Sequence, residues 1–236
     1  MRIYMDYAEA YEEVKRDLAE MGILVKPKSM QDKIIEGNPE YETMELQNYC
    51  YTILDAKSED VKNCIKNWAD AEFEERIFNP YNDVLGFTQF VNPGKAWELR
   101  KDVWTEYMHD GKMAYTYNER FWNNDQLRKI IDRLKEDHDS RQLWLSVWDP
   151  CMDPDNLGGI SRVPCSLGYN FQYRDGKLNI HYVMRSCDFN THFPNDVYLG
   201  IKLLEYVAKE TGLEVGNFTH TMFSLHVYRK DLKNVF

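Results

Sequence analysis

The chain has 236 residues, 43% of them hydrophobic and 14% aromatic, which suits one large domain with a sizeable core and argues against disorder. Its formal net charge of −10 disfavours DNA or RNA as a ligand, because affinity for polyphosphate rests on surplus lysine and arginine, whereas a mononucleotide needs only a local basic pocket. No apolar run is long enough to span a bilayer and no signal-peptide core is present, so we expect a cytoplasmic protein that does not contact membranes.

The cysteine pattern argues for free thiols in a reducing compartment. The sequence contains no Cys-x-x-Cys pair and no zinc-binding spacing, so no metal site is expected. The odd number of cysteines also leaves one without a partner. They are Cys50, Cys64, Cys151, Cys165 and Cys187.

The first half of the chain predicts two long helices. Residues 6–21 have the pattern of an acidic amphipathic helix ended by Gly22, and residues 23–25 of a short strand. Apolar positions at helical spacing predict a second helix over 59–78. Proline and glycine make residues 80–96 a loop-rich segment.

The second half predicts a strand-rich region, so the fold class is α+β with much of the sheet in this half. Two strands are joined at Asp175-Gly176, a dipeptide typical of tight turns. We expect a single domain over residues 1–236. The predicted helices are 126–135 and 197–210, and the predicted strands are 143–148, 169–174, 178–184 and 220–228.

Cys165, which follows Pro164, is the candidate nucleophile. A thiolate can add to an electron-poor ring carbon such as C6 of a pyrimidine. The alternative is a small buried hydrophobic side chain, the commoner fate of a lone cysteine. We favour catalysis because Arg185 and Asp188 accompany it further along the chain.

Two arginines are candidates for binding a phosphate. Arg185 and Ser186 end a predicted strand, and the planar fork of arginine matches phosphate oxygens while a serine hydroxyl adds a donor. Arg141 is a second candidate. The alternative for each arginine is an exposed ion pair at the end of a strand or helix.

Asp196 is the candidate for reading the base. Cytosine presents an amino donor at position 4 and an acceptor at N3, so a carboxylate can accept from the amino group and favour protonation of N3. Uracil would oppose its carbonyl to the same carboxylate, a mismatch of ~1–3 kcal/mol per failed contact. The alternative is that Asp196 caps the helix predicted to begin at residue 197.

His226 and Tyr228 alternate on a predicted strand, so their side chains point to the same side. They could hold a sugar hydroxyl, or they could be two half-buried strand residues. The other histidines are interpreted as background: His109, His138, His181, His192 and His220.

These motifs together resemble the thymidylate synthase superfamily over about residues 103–228. The synthases carry asparagine where this chain has Asp196. Asn195-Asp196 and the run 224–228 are instead similar to the deoxycytidylate hydroxymethylases of T-even-type phages. The segments that carry the resemblance are Asp139-Ser140-Arg141, Pro164-Cys165, Asp175-Gly176-Lys177-Leu178, Arg185-Ser186-Cys187-Asp188 and Leu213-Glu214-Val215-Gly216-Asn217-Phe218.

The resemblance implies a homodimer whose sheets pack back to back, and 5,10-methylenetetrahydrofolate as the one-carbon donor. It further implies that Cys165 adds to C6 of dCMP and that water completes a hydroxymethyl group at C5. One alternative is a relative that methylates dUMP or dCMP. Another is a catalytically silent nucleotide-binding protein on the same fold.

By the same resemblance, individual residues receive roles. Nucleotide contacts would come from Arg185, Ser186, Asn170, Asp188, Asp196, His226, Tyr228 and, from the partner subunit, Arg141. Trp104 and Asp188 would line the folate side, and Tyr117 would lie near the thiol. The general base would be Glu75, with Glu74 and Glu72 as alternatives.

The sequence departs from the family pattern in four places. Gln142 stands where a second arginine is usual, and Asn170 where glutamine is usual. Lys26 or Lys28 would replace the arginine of an N-terminal loop. The sequence also ends eight residues after Tyr228, where the family has a longer segment that closes over folate, so an open site that suits hydroxylation by water is expected.

Overall fold

A computed structural model describes residues 2–31, 33–79, 94–108, 110–111, 113–157 and 161–236. The α-helices in these ranges are α1 (Tyr7–Met21), α2 (Lys66–Ile77), α3 (Lys95–Leu99), α4 (Lys101–Trp104), α5 (Tyr117–Trp122), α6 (Gln126–Glu136), α7 (Phe193–Thr211) and α8 (Leu232–Val235). The strands are β1 (Arg2–Tyr4), β2 (Ile23–Val25), β3 (Ser29–Met30), β4 (Lys33–Ile34), β5 (Thr43–Ile53), β6 (Trp144–Ser146), β7 (Ser166–Arg174), β8 (Lys177–Met184), β9 (Cys187–Asp188) and β10 (Glu214–Tyr228).

One mixed sheet organises the described residues. Its strand order is β1-β5-β10-β8-β7-β6, with β2 paired to β5 and β9 paired to β10. The pairs β1/β5, β10/β8 and β10/β9 are parallel, whereas β5/β10, β7/β8 and β6/β7 are antiparallel. The 15-residue strand β10 lies at the centre and bonds to β5 on one side and to β8 and β9 on the other.

The core lies between the sheet and α7, and aromatic rings fill it. Tyr169 and Tyr182 stack at a centroid separation of 4.3 Å, and His220 stacks on Tyr182 at 4.9 Å. Phe193, at the start of α7, packs against Tyr51 of β5 at 6.0 Å. Because these buried rings come from β5, β7, β8, β10 and α7, they fix the ends of the strands relative to the helix.

The opposite face of the sheet carries polar side chains together with partly exposed aromatic ones. His181 of β8 hydrogen-bonds Thr221 of β10 at 2.7 Å. Trp144 and Phe223 are 43% and 46% exposed. Gly168 makes room for the Trp144 ring, since a Cβ there would lie 2.4 Å from the indole.

Several predicted elements are confirmed, beginning with the α+β class. Strands β7 and β8 form the predicted hairpin, in which Asp175 and Gly176 have φ of 53° and 82°, as a tight turn of this kind requires. Helix α6 matches the prediction over 126–135. Helix α1 begins one residue after Asp6, whose side chain accepts from the Glu9 N–H at its N-terminus.

Other element predictions were wrong in their limits. Helix α2 begins only at Lys66, after a separate 3-10 turn at Ser58–Asp60. Helix α7 begins at Phe193, so Asp196 lies inside its first turn and does not cap it. Strand β10 begins six residues before 220, and the 11-residue strand β5 was missed. Of the loop predicted over 80–96, residues 80–93 lie outside the described ranges, and Lys95 already belongs to α3.

The cysteines are free thiols, as predicted. None of the helices in the described ranges combines the length and the apolar character needed to cross a membrane.

Candidate active site

A cavity of about 820 Å³ opens where β7, β8, β9 and β10 approach α2, α3 and α4. Most of the predicted site residues line it. They are Glu75, Trp104, Tyr117, Cys165, Arg185, Ser186, Asp188, Asp196, His226 and Tyr228.

Backbone pairing brings the segments of this cavity together. The N–H of Arg185, at the end of β8, donates to the carbonyl of Cys165 at 2.8 Å, and the N–H of Ser224 donates to the carbonyl of Arg185 at 3.1 Å. Asp188 of β9 pairs with His226 of β10. The nucleophile, phosphate and sugar candidates therefore lie on adjacent strand ends, although up to 63 residues separate them in the chain.

Two nitrogen donors face the Cys165 sulfur. Gln31 Nε2 lies 3.6 Å and Arg185 Nη2 lies 3.8 Å from Sγ. The Arg185 guanidinium is also held by the carbonyls of Val163 and Pro164 at 3.1 and 2.9 Å. Gln31 follows β3 and has φ of 55°, a costly backbone conformation for a residue other than glycine. Both donors would stabilise negative charge on the sulfur.

Asp196 presents its carboxyl group from the first turn of α7. The Cys187 thiol donates to Oδ2 at 3.7 Å. Burial in the cavity wall raises the pKa of Asp196 to about 7, although the Arg76 guanidinium lowers it. A carboxyl group in this state can hold or release a proton near neutral pH.

Glu75 is held at the start of α3. Its Oε1 accepts a hydrogen bond from the Ala96 N–H at 2.9 Å, and Gly94 leaves the space, because a Cβ there would lie 2.6 Å from the same oxygen. Burial raises the pKa of Glu75 above its usual value. Glu72, in contrast, is paired with Arg76 at 2.8 Å. Among the acids of α2, Glu75 thus has the surroundings of a proton-transfer group.

Tyr117 joins the cavity to the core. Its hydroxyl hydrogen-bonds Ser166 at 3.0 Å, and Ser166 also bonds the Tyr182 hydroxyl. The Arg76 guanidinium lies 3.7 Å from the centre of the Tyr117 ring. These contacts fix the ring beside the residue that follows Cys165.

His226 and Tyr228 point to the same side of β10, with ring centroids 5.1 Å apart. Ser224 Oγ lies 3.3 Å from His226 Nδ1 and donates to Glu45 at 2.5 Å. Burial lowers the pKa of His226, against the effect of Asp188. A neutral imidazole and a phenol therefore stand together at the cavity wall, where they can exchange hydrogen bonds with a hydroxyl group.

Comparison with known proteins identifies the family. The thymidylate synthase family model matches residues 85–236. This chain belongs to the thymidylate synthase family. A Methanosarcina acetivorans protein named "Putative thymidylate synthase" is 30% identical over 224 residues, covering 91% of this chain and 94% of its own length. A Methanosarcina mazei protein of the same name is 29% identical over 215 residues, covering 90% and 92%.

A solved structure shows the same fold. Thermostable thymidylate synthase A from Bacillus subtilis superposes with a TM-score of 0.75 at 19% identity, covering 98% of this chain and 83% of that one. The predicted family and the thymidylate synthase-like fold are thereby confirmed. Members of the family transfer a one-carbon unit to C5 of a pyrimidine nucleotide, with methylenetetrahydrofolate as co-substrate.

Two residues that the resemblance to thymidylate synthases assigned to the nucleotide lie away from this cavity. Asn170 pairs with His181 on the outer face of the sheet and donates to the Leu143 carbonyl at 3.2 Å, and it does not line the cavity. Its role toward the nucleotide stays a prediction. Arg141 is exposed just before β6 and does not line the cavity either. Its predicted role depends on a partner subunit.

Sequence reasoning missed several residues of the site of this thymidylate synthase family member. His192 was interpreted as background, yet it precedes α7 and lines the cavity. Helical spacing from Glu72 could have placed Arg76 on the same face of α2. Nothing in the local sequence marks Gln31, Arg100 or Arg162, which reach the cavity only through tertiary packing.

Proposed function

We propose that this chain transfers a one-carbon unit to C5 of a cytosine nucleotide, most specifically that it is a dCMP 5-hydroxymethyltransferase. The observation that carries the proposal is Asp196, a carboxyl group buried in the cavity wall on the position from which the family reads the base. The similarity of Asn195-Asp196 and residues 224–228 to phage deoxycytidylate hydroxymethylases supports the hydroxymethyl product.

The preference for cytosine follows from one shared proton. Cytosine N3 is a basic ring nitrogen, so a proton held by Asp196 can move toward it and give a charge-assisted hydrogen bond, while the second carboxyl oxygen accepts from the 4-amino group. Uracil offers a weakly basic carbonyl to the same proton. Because the pKa of Asp196 is raised to about 7, the proton is available at neutral pH.

The covalent step would use Cys165. Its thiolate adds to C6, the C5=C6 double bond opens, and the electron pair passes to C5. Gln31 and Arg185 hold the sulfur at 3.6 and 3.8 Å, and Arg185 with Ser186 would bind the phosphate. A ring attached in this way would have its 4-position toward Asp196 and its sugar toward His226 and Tyr228, which line the same cavity.

Glu75 would remove the proton from C5. After C5 has formed its new carbon bond it carries a proton that must leave before the thiolate of Cys165 is expelled and the ring double bond is restored. The raised pKa of Glu75 suits this removal, directly or through a water molecule. Methylenetetrahydrofolate, when bound, supplies carbon at the oxidation level of formaldehyde, so water completes a hydroxymethyl group without a reductant.

Methylation of dUMP is the second candidate, and the names of the Methanosarcina relatives support it. Its chemistry shares the Cys165 and Glu75 steps and differs in the base and in the final transfer of hydride. The substrate and the product are therefore separate questions.

We also propose a homodimer formed through the outer face of the sheet. Trp144 and Phe223 are nearly half exposed there in the single chain, and burying such apolar side chains is the main gain of a stable interface. A partner packed on this face would give Arg141 a route to the opposite cavity. Light scattering should give the mass of two chains, and one chain for Phe223→Glu.

Release of tritium from C5 tests the main proposal. The wild-type protein with methylenetetrahydrofolate should release tritium from [5-³H]dCMP faster than from [5-³H]dUMP, and mass spectrometry should show a hydroxymethyl product. Faster release from dUMP with a methyl product would establish the second candidate. Absence of release from both nucleotides would refute C5 transfer altogether.

A further inference from the structure

Two arginines of the cavity lie close to one tryptophan. The Arg162 guanidinium lies 4.4 Å and the Arg100 guanidinium 5.7 Å from the centre of the Trp104 ring. Arg162 also lies 4.8 Å from the Tyr107 ring, and Arg100 lies 5.0 Å from Trp68. All of these side chains line the cavity, so the two positive charges face the same space.

Neither arginine has a carboxylate partner among the described residues. Arg100 is 8% exposed, and its Nη1 has no hydrogen-bond partner. Nε of Arg162 is buried and also without a partner. Glu72, the acid that faces Arg100 from α2, is already paired with Arg76 at 2.8 Å.

A third unused donor lies beside them. The indole N–H of Trp97 is buried without a partner and lines the cavity. Trp97 and Arg100 are three residues apart, and the Arg100 N–H donates to the Trp97 carbonyl at 3.0 Å, so both side chains lie on one side of this short helical segment. Buried donors are normally satisfied in proteins, and an unpaired buried cation is costlier still.

The positive charges of Arg100 and Arg162 act on the nearby His192. Its ring lies 6.5 Å from Trp104. Burial, together with Arg100 and Arg162 and against the opposite effect of Asp188, lowers the pKa of His192 to about 4. The imidazole is therefore neutral, and the two guanidiniums are cationic groups near it that a ligand can pair with.

We propose that Arg100 and Arg162, with the Trp97 N–H, form an anion-binding subsite for a carboxylate carried by the one-carbon donor. The inference rests on the proposed function, in which the cavity holds a nucleotide and a folate together. The nucleotide phosphate has its own candidates in Arg185 and Ser186, next to Cys165. The second pair of guanidiniums lies instead around Trp104, the residue expected on the folate side.

The test compares ligands with and without the carboxylate tail. Dissociation constants of tetrahydrofolate, of tetrahydropteroate (which lacks the glutamate) and of dCMP are measured by anaerobic calorimetry for wild type, Arg100→Gln and Arg162→Gln. Each variant should weaken tetrahydrofolate about tenfold to hundredfold and leave tetrahydropteroate and dCMP unchanged. Arg133→Gln, in an exposed ion pair on α6, is the matched control and should change nothing.

Three results would overturn the subsite. If tetrahydrofolate and tetrahydropteroate bind equally more weakly to the variants, the arginines are packing residues. If only dCMP binds more weakly, they belong to the nucleotide phosphate. If no dissociation constant changes, they have no binding role. If a variant does not fold, NMR titration of wild-type His192 decides: its pKa should rise with tetrahydrofolate and stay near 4 with tetrahydropteroate. Loss of tritium release with intact glutamate-dependent binding would refute the transferase proposal and leave the subsite standing.

Discussion

The exchange of Asp196 for asparagine removes the shared proton and leaves the shape of the side chain unchanged. A charge-assisted hydrogen bond contributes ~1.5–3 kcal/mol and a neutral one ~0.5–1.5 kcal/mol, so the loss for cytosine is about 1–2 kcal/mol. Uracil loses nothing, because an amide supplies its donor and acceptor together. The dCMP/dUMP ratio of kcat/KM should therefore fall roughly 5- to 30-fold.

The assay is tritium release from C5 of both nucleotides between pH 6 and 8.5. Since burial raises the pKa of Asp196 to about 7, the free enzyme loses the proton above that pH. The wild-type kcat/KM for dCMP should then fall by up to tenfold per pH unit. The Asp196→Asn profile should be flat over the same range. An unchanged dCMP/dUMP ratio in the variant would refute the reading of the base by this carboxyl group.

Four further substitutions test the remaining steps. Cys165→Ala should abolish tritium release while calorimetry shows dCMP binding unchanged. Wild-type activity in this variant would exclude covalent catalysis by Cys165. Glu75→Gln should slow tritium release about 10²- to 10⁴-fold with little change in dCMP affinity. Glu72→Gln, in contrast, should lower the free energy of unfolding measured in urea by about 3–5 kcal/mol, because it leaves Arg76 without its ion pair. Gly94→Ala should slow release with unchanged dCMP affinity, since the new methyl group displaces the Glu75 carboxylate; a wild-type rate would show that this position does not matter.

Local patterns predicted the elements whose determinants are local. The hairpin at Asp175-Gly176 followed from turn chemistry, and the common orientation of His226 and Tyr228 followed from strand alternation. The start of helix α7 was predicted four residues too late, at residue 197, because Asn195-Asp196 resembles the residues that precede a helix. Pro194 is compatible with the first helical turn, where its missing N–H costs nothing.

Features that depend on tertiary packing could not be read from the sequence. Strand β5 is held by its pairing with β1 and β10, and only some of its side chains are buried. Its sequence therefore mixes polar and apolar residues without a clear alternation. Gln31 is 134 residues from Cys165, and its contact with the sulfur arises where the turn after β3 meets the cavity. The resemblance to thymidylate synthases could place Asn170 by alignment, but not the face of the sheet on which its side chain lies.

Four wholly or partly buried arginines of the described residues divide into two pairs, and the division carries a physical argument. Arg76 is paired with Glu72 at 2.8 Å, and Arg120 is paired with Asp153 at 2.8 Å. Where the fold itself needs a buried guanidinium, the chain thus supplies the counterion, as the cost of burying a charge requires. Arg100 and Arg162 have no such acid within salt-bridge distance among the residues that the structure describes, although the chain has 39 acidic residues. A permanent partner would occupy the donors that a ligand has to use, so an unpaired arginine at a cavity wall is the arrangement expected when the counterion arrives with the substrate.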